Sequence, residues 1–137
     1  MTRLLFLCTG NSCRSQMAEG WARFLGGTRV EVFSAGIEAH GVNPRAVAVM
    51  QEAGVDISAQ TSNTIDALNL DAMDIVVTVC GNAEERCPLV SPGTRKIHWP
   101  LADPAKLTGT EASVMAGFRT SRDEIRRRVQ ALLVDFS

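Results

Sequence analysis

The feature that most constrains this chain is a short, unbroken apolar run, Leu4 to Leu7, feeding directly into Cys8-Thr9-Gly10-Asn11-Ser12-Cys13-Arg14-Ser15 and then a helical pattern. A run without polar alternation is what a strand buried on both faces looks like. After the loop, Met17, Trp21, Phe24 and Leu25 recur at helical spacing and Gly26 and Gly27 end the segment, so this face is expected to be core. A buried strand, a glycine-bearing loop and a helix in that order begin an α/β fold.

The alternation continues. Val30 to Phe33 is a second short strand, and Asn43 and Pro44 supply the N-cap and first position of a helix that carries Val47 and Met50 inward and stops at Gly54. Ile75 to Val79 is the strongest strand signal, β-branched and apolar, and Ile97 to Trp99 is a weaker fourth. From about Glu111, helical spacing of Ile125, Val129, Leu132 and Leu133 predicts a long closing helix, with Gly117 expected to kink or weaken its first half. Strands separated by helices pair in parallel through right-handed crossovers, which gives a three-layer α/β sandwich around four strands. With 137 residues, no repeat and no linker-like tract, the chain reads as a single catalytic domain, residues 1–137.

Charge and composition exclude several functions. Fourteen Lys and Arg balance fifteen Asp and Glu, which argues against nucleic acid or a membrane as the main partner. Arg126, Arg127 and Arg128 follow Asp123 and Glu124 and read as the solvated face of a helix. The N-terminal apolar run is too short for an export signal and no segment is long enough to span a bilayer, so a cytoplasmic location is expected. In that compartment cysteines stay reduced unless chemistry uses them, and a chain this size folds without disulfide staples. The four cysteines lack the tight spacing of structural zinc knuckles.

In open parallel sheets ligands gather beyond the carboxyl ends of the strands. The first strand runs into Cys8, the third into Cys80, and the fourth is closely followed by Asp103, so residues distant in sequence share one sheet edge. The loop between Cys8 and Arg14 offers successive backbone N–H groups that converge on an anion, helped by the helix N-terminus and the planar Arg14 fork. The same field favours Cys8 as a thiolate, with the Ser15 hydroxyl close enough in sequence to assist. Cys8 is therefore predicted to be a nucleophile aimed at a tetrahedral oxyanion held by Thr9, Gly10, Asn11, Ser12, Cys13, Arg14 and Ser15. Cys13, His40 and His98 have no assigned chemistry and read as packing or surface residues.

Those residues carry a resemblance. CTGNSCRSQMAEG resembles the signature of the low-molecular-weight tyrosine phosphatase fold, and more closely that of thioredoxin-coupled arsenate reductases built on it. SAGIEAHGVNP, VVTVC with Cys80 and Cys87, Asp103-Pro104 and RDEI match in order along nearly the whole chain. The resemblance implies a parallel sheet of order 2-1-3-4 and reduction of arsenate to arsenite. It implies that Cys8 attacks arsenate, that Asp103 protonates the departing oxygen, and that Cys80 and then Cys87 resolve the adduct through successive disulfides recycled by thioredoxin. The polar segment holding Cys87, ended by Pro88, is expected to rearrange and expose the final disulfide.

In members of this family a potassium ion binds beside the loop. Asn11, Glu19 and Ser34 match its ligands, but Asn63 stands where an acidic residue is typical, and losing a carboxylate weakens a site for a hard cation. The implied assembly is a monomer with no tightly bound cofactor. The rival reading is a phosphotyrosine or phosphoester phosphatase using Cys8, Arg14 and Asp103. It leaves Cys80 and Cys87 without a task and lacks aromatic residues after Asp103-Pro104 to clasp a tyrosyl ring.

Overall fold

Strand β1, Thr2–Cys8, lies at the centre of the molecule because its residues cannot face water on either side. Leu4, Leu5, Phe6 and Leu7 are all fully buried, and since successive side chains point to opposite faces, both faces of the sheet are covered. In the computed structural model, which describes residues 1–79 and 92–135, β1 pairs in parallel with β2, Val30–Gly36, and with β3, Ile75–Thr78. β4, Arg95–His98, pairs in parallel with β3, so the order is β2-β1-β3-β4, as the family resemblance implies. Cys8 pairs with Gly36 and Leu7 with Thr78, which brings the carboxyl ends of three strands level with one another.

Three α-helices of the described residues cover the sheet and one another. α1, Arg14–Gly26, packs on β1 and β2; α3, Glu111–Val134, packs on α1 and on α2, Pro44–Glu52. Asn43 caps α2 by accepting the Arg45 N–H at 2.8 Å, and Thr110 caps α3 by accepting from Ser113 at 3.1 Å. Trp21 is buried on α1, donates its indole N–H to the Arg122 carbonyl at 3.2 Å and lies under the Arg126 guanidinium at 5.1 Å. Among the described residues no helix is long and apolar enough to cross a membrane.

Three local expectations need correction. Phe24 is not core: it is 60% exposed, because the buried face of α1 is set by Met17, Ala18, Trp21 and Ala22, and Phe24 only meets the Trp21 ring edge-on at 6.2 Å. The fourth strand begins earlier, at Arg95, and ends before Trp99, whose ring instead packs on Phe6. Gly117 does not interrupt α3, which runs continuously from Glu111 to Val134. It accommodates Leu107: a Cβ at position 117 would overlap Leu107 Cδ1.

Candidate active site

The loop from Cys8 to Arg14 must turn sharply between β1 and α1, and Asn11 makes the turn in the left-handed region, at φ 48°. It is the only non-glycine residue with positive φ among the described residues, and asparagine is among the side chains that tolerate it best. Its amide is fixed on both sides. The Asn63 N–H can only donate, so the atom it meets at 2.7 Å is Oδ1, which leaves Nδ2 to donate to Ser15 Oγ at 2.9 Å.

The loop's carbonyls account for its shape. The carbonyls of Cys8, Thr9, Gly10 and Ser12 accept from the N–H groups of Ile37, Glu38, His40 and Asn43 at 3.2, 2.9, 2.9 and 3.0 Å. That of Asn11 accepts from the Gln16 side chain at 3.0 Å. In a trans peptide the C=O and the next N–H point in opposite directions. With the carbonyls of Cys8, Thr9, Gly10 and Ser12 all held by residues 37–43, the amides that follow them, of Thr9, Gly10, Asn11 and Cys13, are turned away from that segment. Converging main-chain donors at a helix N-terminus form an anion nest.

Cys8 closes this nest from the strand side. It is 3% exposed, and its Sγ lies 2.8 Å from Ser15 Oγ. Because Ser15 Oγ already accepts from Asn11, its own proton is free to point at the sulfur.

Arg14 is buried at the first position of α1, and Nη1 donates to the carbonyls of Leu101 and Val79 at 3.0 and 3.3 Å. Its Nη2 lies 3.5 Å from Asp103 Oδ2, while Asp103 Oδ1 accepts the Ala105 N–H at 3.0 Å and caps a 3₁₀ turn, Pro104–Lys106. Cys8, Arg14 and Asp103 thus line one cleft of about 680 Å³, with Thr9, Gly10 and Cys13 in the same wall.

Sequence reading passed over two residues of this cleft. His40 sits against Gly10, with Nε2 2.6 Å from Glu38 Oε2, and His98 lines the same cleft, with Nδ1 2.8 Å from Thr78 Oγ1. His40 lies within SAGIEAHGVNP, but nothing in that stretch marks it as facing the cleft, and His98 stands in no motif. His40 arrives only because residues 37–43 run along the loop, and His98 only because it ends β4. Cys13 is buried beside Cys8, where burial and the Asp103 carboxylate push its thiol up to about 12. It stays a neutral thiol at physiological pH.

At the positions of the family's cation site, where Asn11, Glu19 and Ser34 match and Asn63 departs, all four residues are engaged with other protein groups. Glu19, buried, pairs with Arg23 at 2.9 Å through Oε2 and accepts the Ser34 hydroxyl through Oε1. Asn11 Oδ1 is taken by the Asn63 N–H, and the Asn63 side-chain amide turns back onto Thr61. The one carboxylate of the set is thus engaged by Arg23 and Ser34, and Asn63 brings no second one, so a hard cation would find a single, already paired carboxylate here. Cys80 and Cys87, and the segment expected to rearrange around them, lie outside the described residues.

A buried cysteine sulfur at the start of a glycine-bearing loop, with one arginine and one aspartate beside it on a 2-1-3-4 parallel sheet, defines a class of cysteine proteins. The chain belongs to one family of that class, the low molecular weight phosphotyrosine protein phosphatases, whose model matches residues 3–136. Within it, the chain is 54% identical over 127 residues to an arsenate reductase of Bacillus licheniformis, covering 93% of this chain and 91% of that one. A solved arsenate reductase in its phosphate-binding state superposes with a TM-score of 0.83 at 38% identity over the full length of both chains. A thioredoxin-dependent arsenate reductase of Corynebacterium glutamicum superposes with a TM-score of 0.67 at 27% identity, over 96% of this chain and 63% of that one.

Proposed function

We propose that the protein reduces arsenate to arsenite with a cysteine relay and is recycled by thioredoxin. The observation that carries this reading is the placement of Cys8, hydrogen-bonded to Ser15, at an oxyanion nest walled by Arg14 and Asp103. The names of the relatives supply the central atom, arsenic, and one structural neighbour supplies thioredoxin.

The Cys8 thiolate attacks arsenic in arsenate bound by the amides of residues 9–13 and by Arg14. One As–O bond breaks, and Asp103 gives the departing oxygen the proton that lets it leave as water. The Cys80 thiolate then attacks the Cys8 sulfur. A Cys8–Cys80 disulfide forms, the S–As electron pair passes to arsenic, and arsenic leaves reduced from the pentavalent to the trivalent state. Cys87 attacks Cys80, forming the second disulfide and returning Cys8 as a thiolate, and the thioredoxin dithiol reduces the Cys80–Cys87 bond.

The phosphatase reading is less well served by the cleft. Its described lining includes Pro100, Leu101, Ala105 and Lys106 and no phenyl or indole ring to hold a tyrosyl group. The deciding experiment follows arsenite release with thioredoxin, thioredoxin reductase and NADPH. Cys8→Ser abolishes all turnover, Cys80→Ser stops after the adduct, and Cys87→Ser completes one turnover only. Full multiple turnover by Cys87→Ser overturns the relay.

A further inference from the structure

Asp103 reaches the cleft from a short turn rather than from a helix or strand, so something must hold that turn. One of its oxygens is fixed inside the turn by the Ala105 N–H, and the other lies beside Arg14. The turn is closed by Lys106 N–H to the Asp103 carbonyl and Leu107 N–H to the Pro104 carbonyl, both at 3.2 Å, which ties residues 103–107 into one hydrogen-bonded body. On the near side that body is seated by buried Leu101, whose carbonyl binds Arg14, and by buried Pro104.

The far side is seated differently. Leu107 is 46% exposed, yet its Cδ1 occupies the space in which any side chain at Gly117 would begin, with Cγ 3.5 Å from the same point. Glycine is the poorest helix former after proline, and it stands inside the unbroken helix α3, at the point where the turn meets it. The notch it leaves receives Leu107 and brings the turn against the helix. A pocket of about 260 Å³ lies along this junction, bounded by Asp103 on one side and by Thr120 and Glu124 of α3 on the other, so the turn has room to swing if the contact is lost.

We propose that Leu107, seated in the notch at Gly117, is a positioning residue for Asp103. Leu107 touches neither the nest nor Arg14 among the contacts described, and it acts by setting where the Asp103 carboxyl stands relative to the bound oxyanion. The inference rests on the proton-donor role given to Asp103 above. Displacements of about 1 Å in a reacting group cost up to about a hundredfold in rate, and loss of a general acid costs about a hundred- to ten-thousandfold, so a loosened turn falls between no effect and the loss of the acid.

The test is single-turnover arsenite formation by the reduced full-length enzyme, without thioredoxin, for Leu107→Ala, Gly117→Ala, the exchanged pair Leu107→Ala/Gly117→Leu, and Asp103→Asn. Leu107→Ala lowers the maximal rate about tenfold while the half-saturating arsenate concentration and the rate of Cys8 alkylation by iodoacetamide stay as in the wild type. Gly117→Ala raises the melting temperature, since alanine favours the helix, and still slows the step by expelling Leu107. The exchanged pair refills the notch from the helix side and restores most of the rate. A wild-type rate in Leu107→Ala beside a slow Asp103→Asn overturns this inference alone. A wild-type rate in Asp103→Asn overturns the role of Asp103 and the inference with it. A loss of alkylation rate in parallel with turnover in Leu107→Ala shows general damage to the loop and also overturns the positioning role.

Discussion

Ser15 Oγ lies 2.8 Å from Cys8 Sγ while accepting a hydrogen bond from Asn11 at 2.9 Å. The hydroxyl therefore receives from one side and gives to the other, and the chain of donors runs from the Asn63 N–H through Asn11 and Ser15 to the sulfur. Removing the middle link should disarm the nucleophile without unfolding the loop.

Ser15→Ala is expected to slow both Cys8 alkylation and arsenate turnover at neutral pH by about tenfold or somewhat more, the worth of a hydrogen bond to a charged group. Iodoacetamide kinetics read the sulfur directly. An unchanged alkylation rate removes Ser15 from the assignment.

Gly36 tests the frame rather than the chemistry. A Cβ there would stand 2.7 Å from the Asn11 nitrogen and 2.8 Å from the Thr9 carbonyl, both backbone atoms that cannot step aside. Gly36→Ala is expected to cost about 1–3 kcal/mol, as overpacking does, and to depress turnover because the displaced atoms belong to the nest. Urea denaturation alongside arsenate kinetics measures the two effects.

Cys13 gives a pH dependence whose sign is fixed. Its thiol is pushed up from the usual 9.0 to about 12 by burial and by Asp103. Below pH 9 both folded and unfolded chains hold the proton; above it the unfolded chain releases the proton while the folded chain keeps it, so stability falls as pH rises toward 12. Cys13→Ala should flatten that fall relative to the wild type, as read by denaturation at pH 8.5 and pH 10.5.

Arg23 bears on cation dependence. Since Glu19 is already paired with it at 2.9 Å, initial rates in equal concentrations of KCl and NaCl are expected to agree. Steady-state rates in the two salts settle it, and a marked preference for potassium contradicts the pairing.

The legible part of this molecule was written in short-range pattern. The run at Leu4 to Leu7, the β-branched run ending at Val79 and the cap Asn43-Pro44 declare strands and a helix because burial and backbone geometry act on neighbours. The loop was legible for the same reason, as a glycine and an asparagine between a strand and a helix. What escaped depended on distant segments meeting. The exposure of Phe24 follows from which side of α1 meets the sheet and α3, the entry of His40 from the path of residues 37–43, and the use of Gly117 from a leucine ten positions earlier.

The carbonyls of Cys8, Thr9, Gly10 and Ser12, held by residues 37–43, carry a consequence for selectivity. Main-chain amides sense formal charge and a four-cornered outline, and they are blind to whether arsenic or phosphorus sits at the centre. On the proposed mechanism phosphate is therefore a natural occupant and competitor. The choice between the two elements is deferred to the moment an electron pair must be accepted, which arsenic can do and phosphorus resists.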